Sequence, residues 1–190
     1  MNLEGVSHSW HARGVGLDPR HSRRCFIPCG EAIAVLGDGK LGLLIALVLN
    51  AHGYNVRLFG RHEEKLRIAA DAGVGASIET PPRAGFDWVV DATGSPDGLR
   101  SAASSVRPRG TVVLKSTVHG EVPVDSASII VNEITLIGSR CGRFDAALPL
   151  LDHALIPVER MIAARYPLSA APEALAQAAQ RGTLKVLLSA

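Results

Sequence analysis

The chain has 190 residues, 47% hydrophobic, 20% charged and only 4% aromatic. This fits one ordinary domain with an aliphatic core and excludes general disorder. Twenty basic against 18 acidic residues leave a formal charge of +2, too even a balance to call for a nucleic-acid or acidic-membrane partner.

Three cysteines cannot build a disulfide framework and point to a reducing compartment. The most apolar run, Leu41 to Leu49, falls well short of the roughly 20 residues a bilayer crossing needs. Residues 1–24 hold no stretch of signal-peptide length. A cytoplasmic protein with no membrane partner is expected.

Residues 1–29 carry four Arg against one Glu and one Asp and have no helix or strand period. They read as a basic tail or loop. Ala32 to Leu36 is a short apolar run that ends at Gly37, the pattern of a strand covered on both faces. A helix is expected over Leu43 to Asn50, a strand over Tyr54 to Phe59, and a polar-faced helix from Glu63 to Ala72 stopped by Gly73. Ala76 to Ile78 reads as a weak third strand and Phe86 to Asp91 as a fourth. A helix follows around Asp97 to Val106. Pro108-Arg109-Gly110 reads as a turn before a fifth strand, Thr111 to Lys115. Ile129 to Val131 fits either element type, and Ile134 to Gly138 is a sixth strand. Helices are expected over Phe144 to Leu151, Pro157 to Ala164 and Pro172 to Arg181, with a closing strand over Leu184 to Leu188. The alternation of strands and helices through residue 139 predicts an α/β fold with a doubly wound parallel sheet.

Gly37, Gly39 and Gly42 form G-x-G-x-x-G between a predicted strand and a predicted helix. That context points to dinucleotide binding. Gly37 allows the tight turn, Gly39 leaves room for a pyrophosphate, and Gly42 lets the helix pack near the sheet. Asp38, Lys40 and Leu41 complete the loop, and the helix start offers free N–H groups to phosphate oxygens. The end of the second strand is the next test. An NAD site carries Asp or Glu there for the ribose hydroxyls; this chain has Gly60, then Arg61, with Lys65 close by. A missing carboxylate removes repulsion, and an arginine can pair with a 2′-phosphate, so NADP is favoured over NAD. Arg61 as a plain solvent-facing turn residue, or Glu63 or Glu64 reaching the ribose, are the competing readings. Ala92, Thr93 and Gly94 after the fourth strand, Lys115 and Ser116 after the fifth and Ser139 and Arg140 after the sixth should line the crevice. Asp91 fits the crevice and a turn cap equally.

Taken together, Val35 to Leu44, Asp91 to Ser95, Arg107 to Val113, Asn132 to Arg140 and Gly182 to Leu188 resemble the cofactor-binding half of the medium-chain, zinc-type alcohol dehydrogenases, nearest the threonine and polyol dehydrogenases. The resemblance covers roughly residues 29–190. It implies a three-layer Rossmann-type fold with strand order 3-2-1-4-5-6 and a hydride-transferring oxidoreductase using NADP or NAD. It also implies a nucleotide domain over 30–165, and a helix and strand over 166–190 that join the catalytic domain. Lys185 matches the basic residue that reaches the pyrophosphate.

The chain departs from the family in that no GroES-like barrel is recognisable ahead of residue 30. His8, His11, His21, Cys25 and Cys29 lack catalytic-zinc spacing, so no metal is expected. No catalytic residue can be named; Asp91, Lys115 and His119 are merely polar candidates. Weak or absent activity alone is expected, with a homo-oligomer or a separate catalytic-domain partner completing the protein. A non-catalytic nucleotide-binding or subunit-like interaction protein is the alternative.

Overall fold

The computed structural model describes residues 27–28, 30–118, 120–139 and 144–190. The expectations for residues 1–26, Cys29, His119, Arg140 and Cys141 lie outside them. Six parallel strands form the main sheet: β1 (Ala32–Leu36), β2 (Asn55–Phe59), β3 (Gly75–Ser77), β4 (Phe86–Asp91), β5 (Val106–Leu114) and β6 (Thr135–Gly138). Their order is β3-β2-β1-β4-β5-β6, as the resemblance implies. Helices α1 (Lys40–Ala51) and α2 (Glu63–Ala70) carry the crossovers of one half. Helices α3 (Pro96–Ser105) and α4 (Ser126–Val131) carry those of the other.

The three layers follow from the side-chain alternation of β1. Ile33 and Val35 pack with Leu43, Ala46 and Leu47 of α1 and Leu66 and Ala69 of α2. Ala34 and Leu36 point the other way and pack with Ala102 of α3, with Leu99 and Ile129 against them. All four β1 residues are buried, as a central strand between two helical layers requires. Phe59 and Phe86 meet edge to face at 5.6 Å, one of the few aromatic contacts in an otherwise aliphatic interior.

Two expectations need correction. The turn at Pro108-Arg109-Gly110 lies inside β5, not before it. Val106 pairs with Phe86 and Thr111 with Trp88, so residues 107–110 bulge out of the ladder. Pro108 has no N–H to give, and Arg109, at φ 64°, donates its N–H to Asn132 O at 2.7 Å instead; a bulge accommodates both.

The second correction concerns residues 157–164. They are a 3-10 turn (Val158–Met161) running into a strand, β7 (Ile162–Pro167). β7 pairs in parallel with β8 (Lys185–Ser189) in a separate two-stranded sheet. Its residues alternate half-buried and exposed, and this pairing overrides the local helix preference of Ala163 and Ala164. Helices α5 (Phe144–Asp152) and α6 (Ala171–Ala179) complete the fold. Leu150, Ile156, Met161 and Leu184 bring this region into the same cluster as β1 and α1.

Candidate functional site

At the C-terminal edge of the sheet the first residue beyond every strand but the edge strand β3 ties that strand to its neighbour. Gly60 donates its N–H to Ser77 O (3.1 Å), Gly37 to Phe59 O (2.8 Å) and Ala92 to Leu36 O (2.9 Å). Lys115 donates to Asp91 O (3.0 Å) and Ser139 to Leu114 O (3.0 Å). Five sequence-predicted site residues thus stand in one row along the strand tips, in the order of the strands. That edge is where open α/β sheets bind ligands.

The glycine loop occupies the middle of the row. Gly37 has φ 107°, and a Cβ there would sit 2.8 Å from Ala92 O; a Cβ on Gly42 would sit 1.8 Å from Gly37 O. Close packing of loop, helix and β4 demands glycine at both positions. Gly39 differs: its backbone is extended, at φ −73° and ψ 177°, and a Cβ would meet nothing within 4 Å. Gly39 caps α1 without a side-chain hydrogen bond, and the first turn holds no acid. The helix start therefore presents unpaired N–H groups and positive dipole charge to open space. These residues fit an anionic group such as a diphosphate.

Beside the loop, Asp38 is buried. Its carboxylate accepts N–H bonds from Arg61 at 2.6 Å and His62 at 2.7 Å, and the His62 Nδ1 lies 3.0 Å from Oδ2. Burial raises the Asp38 pKa, but the backbone donors of His62 and Arg61, with the His62 ring, outweigh it and hold the carboxyl below its ordinary value. Arg61 is exposed, whereas Lys65 is 8% exposed. Among the described residues neither side chain has an ion-pair partner.

At the β4 tip, Asp91 Oδ1 accepts from Thr93 N–H (3.0 Å) and Thr93 Oγ1 (2.7 Å). Asp91 is thereby a turn cap, the second of its two readings. Gly94 N–H donates to Ser116 Oγ at 3.0 Å, and Lys115 Nζ lies 3.3 Å from Ser139 Oγ. Lys40 and Leu41 form the exposed first turn of α1. Lys185 stands apart: it opens β8 in the second sheet and is exposed. Sequence reasoning named Ser116 at the end of the fifth strand but passed over His62 and the burial of Lys65. The signal for His62 was the acid in the glycine loop, which needed a donor. Among the described residues no three His, Cys, Asp or Glu side chains are grouped to hold a metal ion. No described helix is long and apolar enough to cross a membrane.

Residues 41–154 match the zinc-binding dehydrogenase family. The chain is 28% identical over 131 residues to the L-threonine 3-dehydrogenase of Streptomyces avermitilis, covering 62% of this chain and 38% of that protein. It is 30% identical over 152 residues to the ribulose-5-phosphate reductase of Streptococcus pneumoniae, covering 75% and 41%. Among solved structures, a candidate zinc-binding dehydrogenase of Sinorhizobium meliloti bound to NADP superposes with a TM-score of 0.77 at 26% identity, covering 86% of this chain and 54% of that one. The chain thus spans about two fifths of the length of these curated relatives. With the sheet order, the glycine loop and the matched residues in agreement, the chain belongs to the zinc-binding dehydrogenase family.

Proposed function

We propose that the chain binds a nicotinamide dinucleotide across its strand tips, NADP in preference to NAD. It would do so as the nucleotide-binding part of an oxidoreductase of the alcohol or polyol dehydrogenase kind. The observation that carries this reading is the α1 start, uncapped and opening on free space at Gly39. The pyrophosphate rests there, on backbone N–H groups of the loop from Gly37 to Gly42, with Lys40 adding positive charge. Ala92, Thr93 and Gly94 are small enough to let a flat ring approach. Lys115 and Ser139 line the far end of the crevice, and Lys185 reaches the pyrophosphate from 166–190, the segment that joins a catalytic domain. The nucleotide domain itself is residues 30–165.

Preference for NADP is supported by Gly60 where an acid would face the ribose, and by the exposed Arg61 guanidinium beside it. It is also supported by the NADP-bound relative from Sinorhizobium meliloti. Kinship with the threonine and polyol branch is supported by the L-threonine 3-dehydrogenase similarity. The bound nicotinamide supplies hydride chemistry; this chain's residues bind and orient it. Titration with NADPH and NADH, followed by nicotinamide fluorescence, should show saturable binding that is tighter for NADPH. A folded chain that saturates with neither would overturn the proposal.

A further inference from the structure

We propose that Asp38 is the positioning residue for cofactor specificity. Its carboxylate holds the Gly60–His62 turn by the backbone, leaves no free acid at the β2 tip and fixes Arg61 on the crevice rim. This rests on the reading of the site as a dinucleotide crevice and deepens it.

The acid is close to where a ribose-binding carboxylate would stand, but it is not available to a ligand. Three donors of one turn surround it, the Arg61 and His62 N–H groups and the His62 ring, and its side chain is only 10% exposed. Arg61 is thus gripped through its main chain while its guanidinium stays exposed and, among the described residues, without a carboxylate partner.

Gly60 is the other half of the device. It does not lie in the left-handed region, so its backbone would accept any residue. What excludes a side chain is Asp38: a Cβ on Gly60 would stand 2.5 Å from both Asp38 Cβ and Oδ2. Asp38 and Gly60 are therefore a matched pair. An acid in the glycine loop forbids one at position 60, so the end of β2 itself presents Arg61 and no carboxylate, and the nearest exposed acids, Glu63 and Glu64, belong to the first turn of α2. A 2′-phosphate is attracted by Arg61 in that arrangement, whereas a 2′-hydroxyl finds no acceptor at position 60.

The test is a binding cycle on the whole chain, with Kd for NADPH and NADH measured by fluorescence and folding checked by thermal melts. D38N keeps the side-chain size but loses the charge. It should weaken NADPH at least about fivefold and leave NADH within about twofold, since only the 2′-phosphate reads Arg61. G60A should lower the melting temperature, and D38G/G60A should recover part of that loss because glycine at 38 clears the clash, while its NADPH binding stays as weak as that of D38N. Backbone amide exchange at Arg61 and His62, measured without cofactor, should quicken in D38N. Equal loss of both cofactors in D38N, unchanged exchange at the two amides, or a D38G/G60A that melts no higher than G60A would each overturn the pairing while leaving dinucleotide binding intact. A wild-type chain that binds neither cofactor would overturn both readings.

Discussion

Two glycines three residues apart should respond oppositely to substitution. In Gly39→Val the new side chain enters space that no described atom fills, on an extended backbone that suits a β-branched residue. The folding cost is that of a poor helix cap, about 1 kcal/mol, or about 2–4 °C in Tm. The space it enters is the one proposed for the diphosphate, whose bonds to the helix start would then be lost. Hydrogen bonds to charged groups are worth about 1.5–3 kcal/mol each, and losing two raises Kd about 10²- to 10⁴-fold. In Gly42→Ala the Cβ lands 1.8 Å from Gly37 O. Loop and helix must separate by more than an ångström, at an overpacking cost of about 3 kcal/mol, or about 6–12 °C in Tm. Thermal melts and NADPH titrations of both variants decide the matter. A Gly39→Val protein that binds NADPH as well as the wild type, or a Gly42→Ala protein as stable as the wild type, would refute the reasoning.

Arg61→Ala should weaken NADPH about tenfold and NADH little; equal losses in parallel titrations would defeat the 2′-phosphate assignment. Lys185→Ala should weaken both cofactors by one common factor of about twofold or more, because the pyrophosphate is shared, and a change in the NADPH-to-NADH ratio would contradict its placement. Asp38 and Asp87 both have folded pKa values lowered from 3.8. For Asp87 burial works against the shift, and the Ala32 N–H and the Arg107 guanidinium prevail. Depressed carboxyls stabilise the fold fully above their unfolded values, and that stability is lost as pH falls through the folded ones. Stability against urea should therefore fall as the pH drops below about 4, and less steeply in Asp38→Asn; identical acid slopes would count against the carboxylate's role.

What was legible in the sequence was whatever is specified locally. Ala32–Leu36 and Phe86–Asp91 match their predicted bounds, because each is an apolar run closed by residues that turn the chain. Helix α1 begins at Lys40, three residues before the expected start, because Gly42 in the first turn reads as a breaker while its packing against Gly37 keeps it helical. The strand at Ile162–Pro167 was hidden because its partner lies about twenty residues later. The bulge in β5 was hidden because Pro108-Arg109-Gly110 is also good turn chemistry; only pairing with β4 on both sides of it distinguishes the two. In the site, the row of tip residues was readable from strand ends alone. The fate of the Asp38 carboxylate was not, since it depends on Gly60 to His62, brought alongside by the β1–β2 crossover.

The most direct test of the central claim is an amide NMR titration of the chain with NADPH. The largest saturable shifts should fall on the N–H groups of residues 39–42, with smaller ones at Arg61 and at Ala92 to Gly94. Saturable shifts confined to other surfaces, or none at the start of α1, would contradict it.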